Sequence, residues 1–147
     1  MTARIDPFQS PSEAIQAVEA LESYVQGCGL DIGLLELIKT RASQINGCAF
    51  CVDMHTREAR KHGETEQRLY LLDAWQEAGV YTAREKAALA WTEAVTLVSQ
   101  TRVPDAVYAE AIRYFSADEI VKLTVAIGLI NIWNRIAVGF RVDVPVT

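Results

Sequence analysis

Two cysteines and a histidine lie close together in the chain, in the order Cys48, Cys51 and His55. If this segment is helical, the three side chains share one face, because residues three and four apart are neighbours on an α-helix. The reactive form of cysteine is the thiolate, and a helix N-terminus stabilises this anion. His55 adds a base for a thiol proton. The spacing therefore favours redox chemistry, in which a thiolate attacks a peroxide oxygen or a disulfide sulfur and a Cys48–Cys51 disulfide then closes.

The rest of the sequence predicts an all-α protein, because it contains no convincing alternation of apolar and polar residues that would indicate a strand. Three capping boxes mark helix starts, at Ser10, Thr82 and Ser116, and the first of them has a proline at the first helical position. Asn46-Gly47 separates the cysteine helix from the helix before it. Helices are predicted from the box at Ser10 to Gly27, and over about 31–45, 48–63, 66–77, 82–99, 103–115 and 117–138.

The last predicted helix is apolar almost all round between Ile120 and Ile136. Asn131, Asn134 and Arg135 interrupt the apolar run, which argues against a membrane span and for a helix buried in the core or between subunits. These polar side chains need partners if they are buried, and we expect backbone groups or a facing carboxylate from another subunit.

Composition places the chain among ordinary globular proteins. Its 147 residues suit one domain, and 50% of them are hydrophobic while 22% are charged. The net charge of -5 provides no basic surface for nucleic acid. The N-terminal segment has no apolar run typical of a secretion signal, so we expect a cytoplasmic protein. In a reducing compartment a CxxC motif is typical of catalysis or metal binding.

Simpler interpretations of the cysteine segment remain open at this point. Cysteine is often only a small buried hydrophobic residue. Zinc is a second possibility, although a fourth ligand would have to come from Cys28 or His62. Attached haem is excluded, since Val52 rather than histidine follows Cys51.

Taken together, the motifs resemble the AhpD-like core of the carboxymuconolactone decarboxylase superfamily. The resemblance begins with Glu36, the CxxC pair and His55, in that spacing. It covers about 30–141 and continues through the segments 56–63, 83–90, 103–105, 115–121 and 131–135.

The resemblance implies a single all-helical domain over 1–147 that forms a homo-oligomer, such as a trimer or hexamer, and has thiol-dependent peroxidase activity on hydroperoxides. It implies that Cys51 attacks the peroxide and Cys48 resolves the oxidised sulfur. It also gives Glu36 and His55 the role of a proton relay. From the residues alone, Glu36 could equally face solvent on its helix.

No flavin or nicotinamide motif is present, so we expect no bound cofactor and an external dithiol as the reductant. The resemblance implies a lipoyl group on a protein partner, and a thioredoxin-type donor is the other option. Phe50 stands where the best-known alkylhydroperoxidases have a histidine, which predicts weak peroxidase turnover or a preference for disulfide exchange. The true lactone decarboxylases lack the CxxC pair, which argues against decarboxylation.

A protein without turnover is the main alternative: an oligomeric redox sensor or binding module whose Cys48–Cys51 pair switches an interface. Outside the motif, we interpret His62 as a cation at a helix C-terminus and Cys28 as a bystander. Trp75, Trp91 and Trp133 are expected in the core or at an interface.

Overall fold

The computed structural model describes residues 1–9 and 12–147, and every regular element in these ranges is helical. The all-α prediction is therefore confirmed. The α-helices are α1 (Glu13–Gln26), α2 (Ile32–Ile45), α3 (Ala49–Lys61), α4 (Glu66–Tyr70), α5 (Ala83–Thr96), α6 (Val98–Thr101), α7 (Asp105–Tyr114) and α8 (Ala117–Phe140), with a 3₁₀ turn at Leu72–Ala74 between α4 and α5.

Two of the three predicted capping boxes are present. The Thr82 hydroxyl accepts a hydrogen bond from the Glu85 amide while the Glu85 carboxylate accepts one from the Thr82 amide, and Ser116 and Glu119 do the same at the start of α8. The third prediction involves Ser10 and Pro11, which lie outside the described residues. The helix that follows them begins at Glu13.

Two predicted helices are shorter than the sequence indicated. The helix expected over 66–77 ends at Tyr70, and a 3₁₀ turn follows it. Because side chains three apart are aligned in a 3₁₀ turn, Leu72 and Trp75 can both enter the same buried cluster. The helix expected over 82–99 ends at Thr96 and is followed by the short helix α6.

Helix α8 is the central helix of the largest hydrophobic core. By length and composition alone it could cross a membrane. In this structure, however, it packs against α1, α2 and α5, and Leu123, Ile127, Leu129 and Ile130 on it are fully buried. The predicted burial is confirmed for the side of the helix that carries these residues, whereas Val121, Ile132 and Val138 are exposed. The driving force is the removal of apolar side chains from water.

Side-chain hydrogen bonds of asparagine residues hold the turn between α2 and α3 against α8. The Asn46 Nδ2 group donates to Oδ1 of both Asn131 and Asn134 at 2.9 Å, and Asn134 Nδ2 donates to the Ser43 hydroxyl at 3.0 Å. Gly47 has a φ of +65°, a conformation that costs glycine little. This network fixes where α3, and with it the CxxC motif, begins.

The asparagine partners differ in part from the expectation. Asn131 also donates to the backbone oxygen of Ile127, and Arg135 donates to that of Asn131, which matches the predicted backbone bonding. Asn134, in contrast, bonds to side chains of its own chain rather than to backbone or a carboxylate. The reason is that α2 ends directly against α8, which places Ser43 and Asn46 beside it.

Candidate active site

Helix α3 begins at the cysteine pair. Cys48 is the N-cap residue rather than part of the first turn, and its sulfur accepts a hydrogen bond from the Cys51 amide at 3.3 Å. The two residues are joined as a disulfide, with their Cα atoms 5.3 Å apart. Each is only 1% exposed. The N-cap position offers a Cys48 thiolate the backbone N–H groups and the positive end of the helix dipole.

Glu36 and His55 form a buried pair behind the cysteines. Since α2 and α3 pack against each other on either side of the Asn46-Gly47 turn, residues on their facing sides meet. The His55 Nδ1 atom lies 2.9 Å from Glu36 Oε2, and the two residues are 5% and 8% exposed. The solvent-facing alternative for Glu36 is therefore excluded.

The second ring nitrogen of His55 is available for chemistry. Its Nε2 atom is buried and has no hydrogen-bond partner among the described residues. A carboxylate that accepts from Nδ1–H leaves Nε2 as a proton acceptor. Buried polar atoms normally have hydrogen-bond partners, so a buried Nε2 without one is placed to accept a proton from a substrate or a water molecule.

A cavity of about 650 Å³ opens beside Cys51. Cys51, His55 and Glu36 all contribute to its wall, together with Phe8, Glu22, Gln26, Ile32, Phe50, Met54, Glu58, His62, Trp133 and Ala137. Cys48 does not line this cavity. It borders a separate, more open hollow formed by residues that include Ser43, Val52, Thr56 and Val144. Cys48 and Cys51, although joined by one disulfide, therefore border different cavities.

Aromatic side chains form one side of the cavity. The ring of Phe8 lies 6.5 Å from that of Phe50 and 6.2 Å from that of Trp133, measured between centroids. Phe8 precedes the first helix, and its segment is held by hydrogen bonds from Arg4 to the backbone oxygens of Gly139 and Phe140. Sequence reasoning missed Phe8, since a lone phenylalanine outside a periodic segment carries no signal.

A second buried charge pair was also missed. The Lys39 ammonium donates to Glu22 Oε1 at 2.7 Å, and Lys39 is 2% exposed. Trp133 Nε1 donates to the other oxygen of Glu22 at 3.3 Å. Burial raises the pKa of Glu22, but the hydrogen bond and charge of Lys39, helped by Trp133, outweigh it and bring the pKa below its ordinary 4.5. A lysine inside the apolar face of α2 was the signal available in the sequence.

The remaining candidates lie apart from the cysteines or at the cavity rim. His62 is the C-cap of α3, is exposed, and borders the cavity. Cys28 is buried in the largest hydrophobic core. Trp75 and Trp91 are buried in the core, as predicted, whereas Trp133 is half-buried at the cavity. Within residues 1–9 and 12–147, no group of three or more His, Cys, Asp or Glu side chains is arranged to hold a metal ion.

Comparison with known sequences identifies the family. The sequence profile of the carboxymuconolactone decarboxylase family matches residues 12–94, more than half of the chain. The chain therefore belongs to the carboxymuconolactone decarboxylase family. The match includes Glu36, both cysteines of the CxxC pair and His55.

Individual relatives place the chain among the AhpD-like members of this superfamily. The uncharacterized protein YdfG of Bacillus subtilis is 43% identical over 139 residues, covering 95% of both chains. The crystal structure of ATU0492 from Agrobacterium tumefaciens, a protein of unknown function for which the role of antioxidant defence protein AhpD has been proposed, is 52% identical with a TM-score of 0.97, covering 99% of this chain and 100% of that one. The debrominase Bmp8 shares the fold alone, at 19% identity and a TM-score of 0.80, over 88% of this chain and 70% of its own.

The Glu22–Lys39 pair predicts a pH-dependent contribution to stability. A carboxyl group with a lowered pKa stabilises the fold above its unfolded pKa, and this contribution is lost as the pH falls through the folded pKa. At pH 7, Glu22→Gln leaves the Lys39 charge buried without its partner and should lower the free energy of unfolding by about 3 kcal/mol. Urea unfolding between pH 7 and pH 3 should show that the difference in free energy of unfolding between wild type and Glu22→Gln shrinks once the pH falls below 4.5, the ordinary pKa of a glutamate. The exposed Glu77→Gln is the control, and a difference for Glu22→Gln that is constant with pH would contradict the assignment.

Proposed function

We propose that this protein is a thiol-dependent peroxidase that reduces organic hydroperoxides with electrons from an external dithiol. The observation that carries the proposal is the shared cavity: Cys51, His55 and Glu36 all border it, while Cys48 lies outside it but within bonding distance of Cys51. A hydroperoxide in this cavity meets one sulfur and one base. Family membership and the likeness to ATU0492 support an antioxidant role of this kind.

In the proposed reaction the reduced Cys51 thiolate attacks the distal oxygen of the hydroperoxide. An S–O bond forms, the O–O bond breaks, and the alkoxide leaves and takes a proton to become the alcohol. Cys51 is then a sulfenic acid. The Cys48 thiol attacks the oxidised sulfur, the S–O bond breaks, and water leaves as the disulfide closes. The two thiols together give up two electrons, which reduce the hydroperoxide to an alcohol and water.

Proton movement is assigned to His55 and Glu36. The Glu36 carboxylate holds Nδ1, which orients the ring and stabilises the imidazolium. Nε2 takes the Cys51 thiol proton and returns it to the leaving alkoxide. Phe50 carries no proton, so the relay runs through His55 alone or through water in the cavity. This arrangement is consistent with slower turnover than in relatives with a histidine at that position.

An external dithiol completes the cycle by thiol–disulfide exchange. We propose that its thiolate attacks Cys51 from the cavity, because the leaving Cys48 thiolate is then stabilised by the Cys51 amide at the N-cap. A second thiol of the reductant releases Cys51. A lipoyl group on a protein partner or a thioredoxin-type protein supplies such a dithiol. A cytoplasmic location and a homo-oligomeric assembly belong to the same proposal.

A redox-sensing role without turnover is the second candidate. It is favoured by one observation: the disulfide packs in a small buried cluster with Ala137 near the end of α8, with Phe50, and with Val142 after that helix. Opening the disulfide would alter the packing of this C-terminal region. In that case oxidation would change assembly or partner binding, and no hydroperoxide would be consumed.

Cysteine variants separate the two candidates. Cys51→Ser should abolish dithiol-dependent hydroperoxide consumption, because it removes the attacking sulfur. Cys48→Ser should remove multiple turnover but leave a single oxidation of Cys51. The matched control is Cys28→Ser, the same change at the buried cysteine outside the site. Hydroperoxide loss coupled to dihydrolipoamide oxidation is the measurement, and activity that survives in Cys51→Ser would overturn the proposed peroxidase.

The relay makes its own prediction. His55→Gln should lower kcat by about 100-fold or more, the usual contribution of general acid–base catalysis. Glu36→Gln, which acts through His55, should lower kcat by a smaller factor. The pH–rate profile should lose the limb that reports the histidine. Glu77→Gln, which is exposed and away from the cavity, should leave both unchanged. A wild-type pH profile in His55→Gln would exclude His55 from proton transfer.

A further inference from the structure

The charged groups on the cavity wall are predominantly acidic. Glu22, Glu36 and Glu58 border the cavity, and among the described residues no lysine or arginine does. Lys39 neutralises Glu22 from the buried side and does not reach the wall itself. A ligand in the cavity therefore meets the Glu22 carboxylate, while the balancing ammonium lies behind it.

Most of the rest of the wall is apolar. Phe8, Phe50 and Trp133 offer aromatic surface, and Ile32, Met54 and Ala137 add further apolar surface, whereas Gln26, His55 and His62 are polar. Such a surface binds an organic group by removing it from water. A carboxylate on that group would have to shed its hydration with no lysine or arginine on the wall to pair with, and the exposed His62 offers a partner only at the rim, so burial of the carboxylate is costly.

We propose that this cavity selects uncharged organic hydroperoxides and rejects those that carry a carboxylate, and that Glu22 is the residue that enforces the selection. This inference deepens the proposed peroxidase function and rests on it for the reactive group of the ligand, the hydroperoxide. Glu22 is a specificity-determining residue and takes no part in the peroxide chemistry.

The other two acids are less suited to this role. Glu36 is engaged with His55, so its charge is shared with a ring that accepts and releases protons. Glu58 is at the rim, where its side chain is 40% exposed, and Lys61 donates to it at 2.6 Å. Water screens the charge of Glu58, and the exposed Lys61 meets it from the solvent side, whereas Lys39 meets Glu22 from the buried side. The Glu22 side chain is 22% exposed, and hydrogen bonds from Lys39 and Trp133 hold its carboxylate in place.

Binding of unreactive alcohols tests the selection without requiring turnover. The probes are cumyl alcohol with a para-methyl ester and cumyl alcohol with a para-carboxylate, which differ chiefly in charge. Calorimetric titration of the wild-type protein should give at least about tenfold tighter binding of the ester, since a desolvated like charge opposes the acid. Equal or tighter binding of the carboxylate, or no binding of either probe, would overturn the inference.

Variants assign the selection to Glu22. Glu22→Gln alone leaves Lys39 unpaired and can unfold, so the double variant Glu22→Gln with Lys39→Met removes the pair while keeping similar volumes. It should reduce the preference for the ester to about threefold or less, because the cavity then lacks its fixed charge. Glu77→Gln makes the same charge change elsewhere and should keep the full preference. An unchanged preference in the folded double variant would exclude Glu22 as the determinant.

Turnover of the matching hydroperoxides separates this inference from the proposed function. If the alcohols bind with the expected preference but neither hydroperoxide is consumed, the peroxidase proposal fails and the selectivity of the cavity stands. If both hydroperoxides are consumed with equal kcat/KM, the peroxidase stands and the charge selection is wrong.

Discussion

The hydrogen bonds from Asn46 to Asn131 and Asn134 are the constraint on which the site depends. They hold the turn between α2 and α3 against the central helix α8. From this point α3 begins, directly after its N-cap Cys48, and α2 and α3 pack along each other. That packing buries Glu36 against His55, and the Nε2 atom of His55 has no hydrogen-bond partner within residues 1–9 and 12–147. Asn131 and Asn134 are polar residues in an otherwise apolar helix. Their hydrogen bonds to Asn46 position the start of α3, which carries the cysteine pair and His55.

The disulfide joins two different environments. Cys51 borders an apolar cavity that also contains His55, whereas Cys48 caps a helix and faces a separate hollow. These different surroundings suit the two sulfurs to different roles. In the proposed reaction Cys51 meets the substrate beside a base, and Cys48 is stabilised as a thiolate by backbone N–H groups when the disulfide opens. Symmetric thiols would give no reason for a preferred direction of attack.

Much of the fold and the polar core of the site could be predicted from the sequence, because the signals are local. Capping boxes at Thr82 and Ser116 predicted helix starts. The spacing of Cys51 and His55 predicted their shared face, whereas Cys48, expected on the same face, is the N-cap and borders a separate hollow. The pairing of Glu36 with His55 came from family resemblance, since periodicity left Glu36 ambiguous. Lys39 in the apolar face of α2 signals a buried cation that needs a partner, but the identity of that partner, Glu22, and the place of Phe8 could not be predicted, because they arise from contacts between α1, α2, α8 and the segment before α1. Such contacts depend on how helices pack, and no local pattern records them.

In the proposed reaction Cys51, and not Cys48, receives the peroxide oxygen. The direct measurement is chemical trapping of the sulfenic acid with dimedone, followed by peptide mass spectrometry, after one equivalent of cumene hydroperoxide is added to the reduced single-cysteine variants Cys48→Ser and Cys51→Ser. We expect a dimedone adduct on Cys51 in Cys48→Ser protein and none on Cys48 in Cys51→Ser protein. An adduct on Cys48, with Cys51 unmodified, would contradict it.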